Sequence, residues 1–260
     1  MLKRLVLIVL LLLAAVRAEA LEFTDVYYNP AESGWGFFVI QSNTFQFLAF
    51  FIYGSDGKPT WYTAQLTDNG AGAYTGAVYL TTGTYFPLPW NPAQLTLSAV
   101  GTATFQPIDS YHATFTYTIN GVGTVTKTVQ RQTLMPYVLA GSYSGSLSGS
   151  VSGCTNPAHN VASLTYRFNL TVTQVADQSA ALSFTIVDAN NVVCTLSGSL
   201  THFGRLYEIA NATYQCPLSP AVQAQINNFR PIDHGIEGHW IADEGGGCTE
   251  SIHFSGVNLQ

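Results

Sequence analysis

The chain has 260 residues, nine Lys and Arg against fifteen Asp and Glu, a formal net charge of −6, and a composition that is 13% aromatic but only 9% charged. Its later cations, Lys58, Lys127, Arg131, Arg167, Arg205 and Arg230, stand singly. No basic patch is available to neutralise phosphates, so neither nucleic acid nor an anionic lipid surface is expected as a partner.

The opening stretch MLKRLVLIVLLLLAAVRAEA sets Lys3 and Arg4 before an apolar run from Leu5 to Val16 and ends in Ala18-Glu19-Ala20. That is the pattern of a secretory signal peptide over residues 1–20, its apolar run being shorter than the roughly 20 residues a spanning helix needs. Removing it leaves six basic and fourteen acidic residues. A periplasmic or extracellular protein with no membrane span is therefore expected.

Beyond the leader almost every periodic segment alternates with period two, is rich in Thr, Val, Tyr and Phe, and is cut by SDGKP, DNGAG, INGVG and DANN. These are strand and turn signals, and they predict an all-β chain of two antiparallel β-barrel or sandwich domains, calycin-like, with little helix. The first domain is placed at residues 21–135 and the second at 136–260. The first turn, NPAESGWG (Asn29 to Gly36), reads as a Pro-initiated turn in which Asn29 or Ser33 caps backbone amides. Ser33 lacks the G-x-S-x-G elbow of a nucleophilic serine, and GWGFFV lacks the glycine pattern of a dinucleotide loop. Glu32 and Trp35 remain as residues for a barrel mouth. Tyr53 and Trp61 bracket the next hairpin, and Trp90 belongs with them to an aromatic cluster. Exposed rings beside carboxylates suit a sugar, the rings stacking on its apolar face and the carboxylates accepting from its hydroxyls.

In YHATFTYTINGVGTVTKTVQR a two-residue turn would mix apolar and polar faces. A three-residue loop pairs Tyr117 with Val125, Ala113 with Val129 and Tyr111 with Arg131. It also turns Lys127 and Arg131 toward the apolar face, where each needs an acidic or aromatic partner. His112 and His202 read as surface residues.

GSYSGSLSGSVSG (Gly141 to Gly153) has the composition of a linker, yet it keeps Tyr143, Leu147 and Val151 on one face. It is predicted as a long strand bent at its glycines. The four cysteines, Cys154, Cys194, Cys216 and Cys248, admit three pairings, and Cys194 with Cys216 and Cys154 with Cys248 is the preferred one. SPAVQAQINNF (Ser219 to Phe229), with Ser219 as cap and Pro220 in the first turn, is the one helix candidate. In DHGIEGHWIADEGGGCTESIHF (233–254), Glu237, His239 and Asp243 share one strand face. They could supply acid/base chemistry, although no recognised zinc spacing is present.

Closed barrels of the lipocalin and avidin type carry Gly-x-Trp in the first strand, with a basic residue of the last strand over the indole. Ser33-Gly34-Trp35 is similar in architecture, and the resemblance implies that GWG opens the first strand and that Trp35 meets Arg131. NPAESGWG, FFIYGSDGKPTWY, GTATF and TVQRQ resemble a recurrent module of exported proteobacterial proteins. GCTNP, CTLSG, HFGRLYEI, YQC and GIEGHW are similar to a domain that often follows it. That resemblance implies export and carries no activity.

The leading expectation is a non-enzymatic binding protein for a carbohydrate, a small amphipathic ligand or a partner protein, with no cofactor and no metal. The alternative is a polysaccharide-active hydrolase or lyase using residues near 233–253. A second alternative, an outer-membrane β-barrel, shares the period-two signature. It is opposed by the four cysteines and by an ending, GVNLQ, without an aromatic terminal residue.

Overall fold

A computed structural model describes residues 21–134, 138–174, 181–187, 192–217 and 219–259. The leader and most of the segment around the expected domain boundary lie outside the described residues.

Eight strands, β1 (Asp25–Tyr28), β2 (Gly36–Ser42), β3 (Phe45–Tyr53), β4 (Pro59–Asp68), β5 (Tyr74–Thr82), β6 (Thr96–Pro107), β7 (His112–Ile119) and β8 (Gly123–Arg131), form a closed barrel in sequence order. β1 closes it on β8 through Tyr27–Arg131 and Tyr28–Gln130. Period-two alternation sends Phe37, Leu48, Phe50, Leu66, Phe105 and Phe115 inward, each at most 1% exposed. Burying rings of this size contributes about 2–3 kcal/mol apiece, which makes the filled interior the main source of this domain's stability. The β7–β8 hairpin has the expected three-residue loop, with Ile119 opposite Gly123, Tyr117 opposite Val125 and Ala113 opposite Val129.

Outside, the barrel has two unlike walls. On β6, β7 and β8 threonines stand in rows: Thr104 opposite Thr116, Thr116 opposite Thr126, and Thr102 opposite Thr118. Their hydroxyls pair across strands, as in Thr116–Thr126 at 3.0 Å and Thr118–Thr124 at 2.8 Å. On β2, β3 and β4 the outward positions are instead Phe38, Ile40, Phe45, Phe51 and Trp61, all substantially exposed.

The second half forms a sheet of β9 (Gly141–Ser152), β10 (Val161–Gln174), β11 (Ala181–Val187), β12 (Val193–Ser199), β13 (Thr201–Phe203), β14 (Leu206–Gln215), β15 (Val222–Ile232), β16 (Gly235–Gly245) and β17 (Cys248–Asn258). Its order is β12-β11-β10-β9-β17-β16-β15-β14-β13, and an added β12–β14 pairing curls the sheet back on itself. The curl encloses Tyr143, Phe168, Leu196, Ile226, Trp240 and Ile252. β9 is the expected serine-glycine strand. At Gly145 and Gly149 a Cβ would collide with the carbonyl oxygens of Ser255 and Ser251 on β17, so only glycine permits this approach. Both expected disulfides are present, Cys154–Cys248 and Cys194–Cys216.

Three expectations are corrected. Ser219 to Phe229 is not helical: residues 222–232 are strand β15, because its apolar residues Ala224 and Ile226 are needed on the inner face between β14 and β16. GWG does not open the first strand; it leads into the second, β2, which begins at its Gly36, since the short β1 has already formed the closing seam. His202 is not a surface residue: its ring stacks on Tyr207 at 4.1 Å, and burial lowers its pKa.

The two halves meet at one end of the barrel, where Arg131 is 2% exposed. Its guanidinium donates to Asp25 at 3.0 Å and to the carbonyls of Ser110 and Glu22 at 2.8 and 2.6 Å, and lies 5.6 Å from the Tyr27 ring centre. From the second half, the Arg205 amide donates to Asp25 at 3.1 Å and its guanidinium to Glu22 at 3.0 Å. Gly204, at φ +62°, sits so close to Asp25 and Arg131 that a side chain there would overlap both. The Tyr111 hydroxyl completes the joint, accepting from the Asn228 amide at 3.1 Å.

Candidate functional site

The β1–β2, β3–β4, β5–β6 and β7–β8 connections leave the barrel at the end opposite this joint. The turn after β1 forms as its sequence dictates: Asn29 Oδ1 accepts from the Ala31 amide at 2.9 Å, and the Asn29 carbonyl accepts from the Glu32 amide at 3.0 Å. This aims Glu32 and Trp35 over the barrel opening. Trp35 Nε1 donates to Glu32 Oε2 at 3.1 Å, and Lys127 Nζ, from the inward face of β8, donates to the same carboxylate at 2.8 Å. The Lys127 hydrogen bond holds the Glu32 carboxyl below its usual range, with the indole N–H adding to the effect.

Beneath this pair the half-buried Trp35, Ile52, Tyr62 and Tyr117 rest on the filled core. Phe50 is the floor, with its ring centre 5.5 Å from those of Tyr62 and Tyr117. Burial raises the Tyr117 pKa, so its hydroxyl stays a neutral donor and acceptor. Tyr53 lies over Gly34, Trp90 lies against Gly83, and Trp61 faces outward from β4 beside Phe51. Tyr53, Trp61 and Trp90 are 56, 50 and 63% exposed, so they form an outer aromatic rim rather than core. The five residues chosen from sequence therefore divide into Glu32 and Trp35 in the mouth and three rings around and outside it.

The inward cations did find partners, but not those the lipocalin likeness implied. Arg131 is paired with Asp25 and Tyr27 at the sealed end, and the cation linked to Trp35, through Glu32, is Lys127. The reason is register. Residues 127 and 131 both point inward, but four residues of strand separate them by roughly 13 Å along the barrel.

In the second half, Glu237 and His239 line a groove of about 310 Å³ between the two halves, together with Glu22, Asn228, Arg230 and His253. Glu237 accepts from Arg230 Nε at 2.6 Å. His239 Nε2 is 2.8 Å from Ser251 Oγ, and its ring stacks on His253 at 4.3 Å. Asp243 is not part of the groove; it accepts from the Gly245 amide at 2.9 Å in the β16–β17 turn. Among the described residues no three His, Cys, Asp or Glu side chains are gathered to hold a metal ion.

One pair escaped sequence reading. On the inner face near the disulfide-bearing end of the curled sheet, Trp240 Nε1 donates to Glu250 Oε2 at 3.1 Å, and the Tyr214 ring lies 4.7 Å from the indole. Burial, then the neighbouring Glu244 carboxylate, push the Glu250 carboxyl up to about 7. The signal in the sequence was parity: Trp240, Ala242 and Glu244 share a face, and Glu250 is set opposite Ala242.

No protein-family model matches the chain, and no curated protein matches it.

Proposed function

We propose that this is an exported, non-catalytic binding protein that receives a neutral carbohydrate at the open end of its first barrel. The observation that carries the reading is the set of half-buried rings, Trp35, Tyr62 and Tyr117, under a Glu32–Lys127 ion pair, with Tyr53, Trp61 and Trp90 exposed around it. Rings stack on the apolar face of a sugar, and the ion pair offers both an acceptor and a donor to its hydroxyls. The core rings Phe37, Phe50 and Phe115 occupy the barrel's middle, which favours a ligand seated at the end over an amphipathic one threaded inside. The apolar, filled interior is also the reverse of a porin-like barrel, whose interior is polar. Two disulfides, and no described helix long and apolar enough to cross a membrane, are compatible with export.

Titration of neutral oligosaccharides, followed by tryptophan fluorescence and calorimetry, tests the reading. Binding is expected, with Glu32→Gln and Trp90→Ala each weakening it about tenfold, the cost of one hydrogen bond or one lost stacking ring. Affinity unchanged by both substitutions would place the ligand elsewhere. A hydrolase or lyase at the groove between the halves is the second reading, because Glu237 and His239 do share that groove. Turnover of a polysaccharide that Glu237→Gln abolishes without unfolding the chain would establish it instead.

A further inference from the structure

Among the described residues the apolar outer wall of β2–β4 is left substantially exposed, and only its edge at Phe38 and Ile40 borders a cavity shared with Leu134, Gly204 and Arg205. We propose that this wall is the self-association face through which two copies of this protein form a two-fold dimer. The wall is continuous across strands. Ile40 stands opposite Phe47 and Phe38 opposite Ala49 on β2 and β3, and Phe51 stands opposite Trp61 on β3 and β4. Phe38 and Phe51 also meet edge to face, with ring centres 5.7 Å apart.

Size comes first. Phe38, Ile40, Phe45, Phe51 and Trp61 are 44, 58, 39, 46 and 50% exposed. Side chains of this class present about 150–250 Å² each, so the five together leave on the order of 500 Å² of apolar surface in water. That is near the upper end of the largest patch on an ordinary monomer, about 300–600 Å². With the flanking Phe47, Thr63, Gln65 and Tyr79 it approaches the ~800 Å² per partner of a standard interface.

Charge and shape then select the occupant. The outward positions Phe38, Ile40, Phe47, Ala49, Phe51, Trp61, Thr63 and Gln65 include no ionisable side chain, while the chain as a whole carries −6. Two like-charged copies can approach where the charge is nil, and a partner of either sign would find no counter-charge there. Along β3 the large Phe47 and Phe51 flank the small Ala49, whose neighbours on β2 and β4 are Phe38 and Thr63. A two-fold axis near Ala49 lays the Phe51–Trp61 ridge of one copy into the Ala49–Thr63 trough of the other, the self-complementarity an isologous contact requires. The opposite wall of the same barrel, with its cross-paired threonine hydroxyls, is already suited to water.

This inference does not rest on the carbohydrate reading, because Phe38 and Phe45 lie outside the barrel mouth and do not line it. Analytical ultracentrifugation of the chain lacking residues 1–20, over micromolar to sub-millimolar concentrations, should show a monomer–dimer equilibrium. Phe38→Glu and Phe51→Glu, at exposed positions, should each weaken it at least about 30-fold, as for a residue central to an interface, while Thr116→Glu on the threonine wall leaves it unchanged. Circular dichroism checks that each variant is folded. A monomer at every concentration overturns the proposal, as does a dimer indifferent to both Phe substitutions. So does a monomer that co-sediments with neutral phosphatidylcholine vesicles in a manner lost on Phe51→Glu, since the wall would then face lipid.

Discussion

Both halves of the molecule place a tryptophan N–H on a glutamate at the same 3.1 Å, yet the two carboxyls are driven in opposite directions. Glu32 has Lys127 at 2.8 Å and is held ionised; Glu250 is buried beside Glu244 and is held protonated up to about 7. The difference teaches that the tryptophan contact does not set the carboxyl's state. The surroundings do: a cation hydrogen-bonded to the carboxylate in the first half, and burial followed by a second carboxylate in the other. The two halves are also secured differently, the first by an ion-pair joint at its sealed end and the second by covalent bridges.

The largest expected effect breaks the covalent side of that contrast. Cys154–Cys248 closes a span of 94 residues, so replacing both with Ser should cost the second half about 4–5 kcal/mol by chain entropy. Denaturant titration should show this loss while the interior of the first barrel keeps its own protection in hydrogen exchange. Next comes the ionic side. Arg131→Met leaves Asp25, whose side chain is 5% exposed, without its buried partner, and should cost about 3–5 kcal/mol. Adding Asp25→Asn should recover part of that loss, because the uncompensated charge is gone.

Glu250→Gln separates the two tryptophan pairs more finely. The native carboxyl titrates near 7 against an ordinary 4.5, so between those values the unfolded chain has released a proton that the folded chain retains. Stability from this group is therefore full below about 4.5 and lost as pH rises through about 7. Gln removes that slope and should make the protein more stable at pH 8, by about 1–2 kcal/mol after allowing for partial exposure. The smallest effect is at Glu32, whose lowered pKa works with the opposite sign: its contribution is present above the ordinary carboxylate range and fades on acidification through the folded value. Lys127→Met should restore an ordinary titration, read from the carboxyl resonance by NMR, with little change in unfolding temperature.

Most of the fold was legible because period two is written residue by residue. The hairpin register at 111–131 followed from keeping Tyr117 and Val125 on one face, and the strand at 141–153 from Tyr143, Leu147 and Val151. The mouth was half legible. Asn29 and Pro30 predict a turn, and Glu32 and Trp35 fall within it, but the choice of Lys127 over Arg131 depended on how far along the barrel each cation lies. Ser219 to Phe229 misled because cap and propensity signals are local, whereas the demand for a strand between β14 and β16 is not.

By itself the sequence determined an all-β chain, its turn chemistry and the need of two inward cations for partners, all consequences of alternation and spacing within single strands, while the choice among three cysteine pairings waited on the fold. Tertiary structure alone decided which partner each cation takes, that Glu250 joins Trp240 and Glu244, and that an apolar wall and a threonine wall stand on one barrel. Those outcomes depend on which strands become neighbours when the sheets close, and closure brings together residues that no local pattern relates.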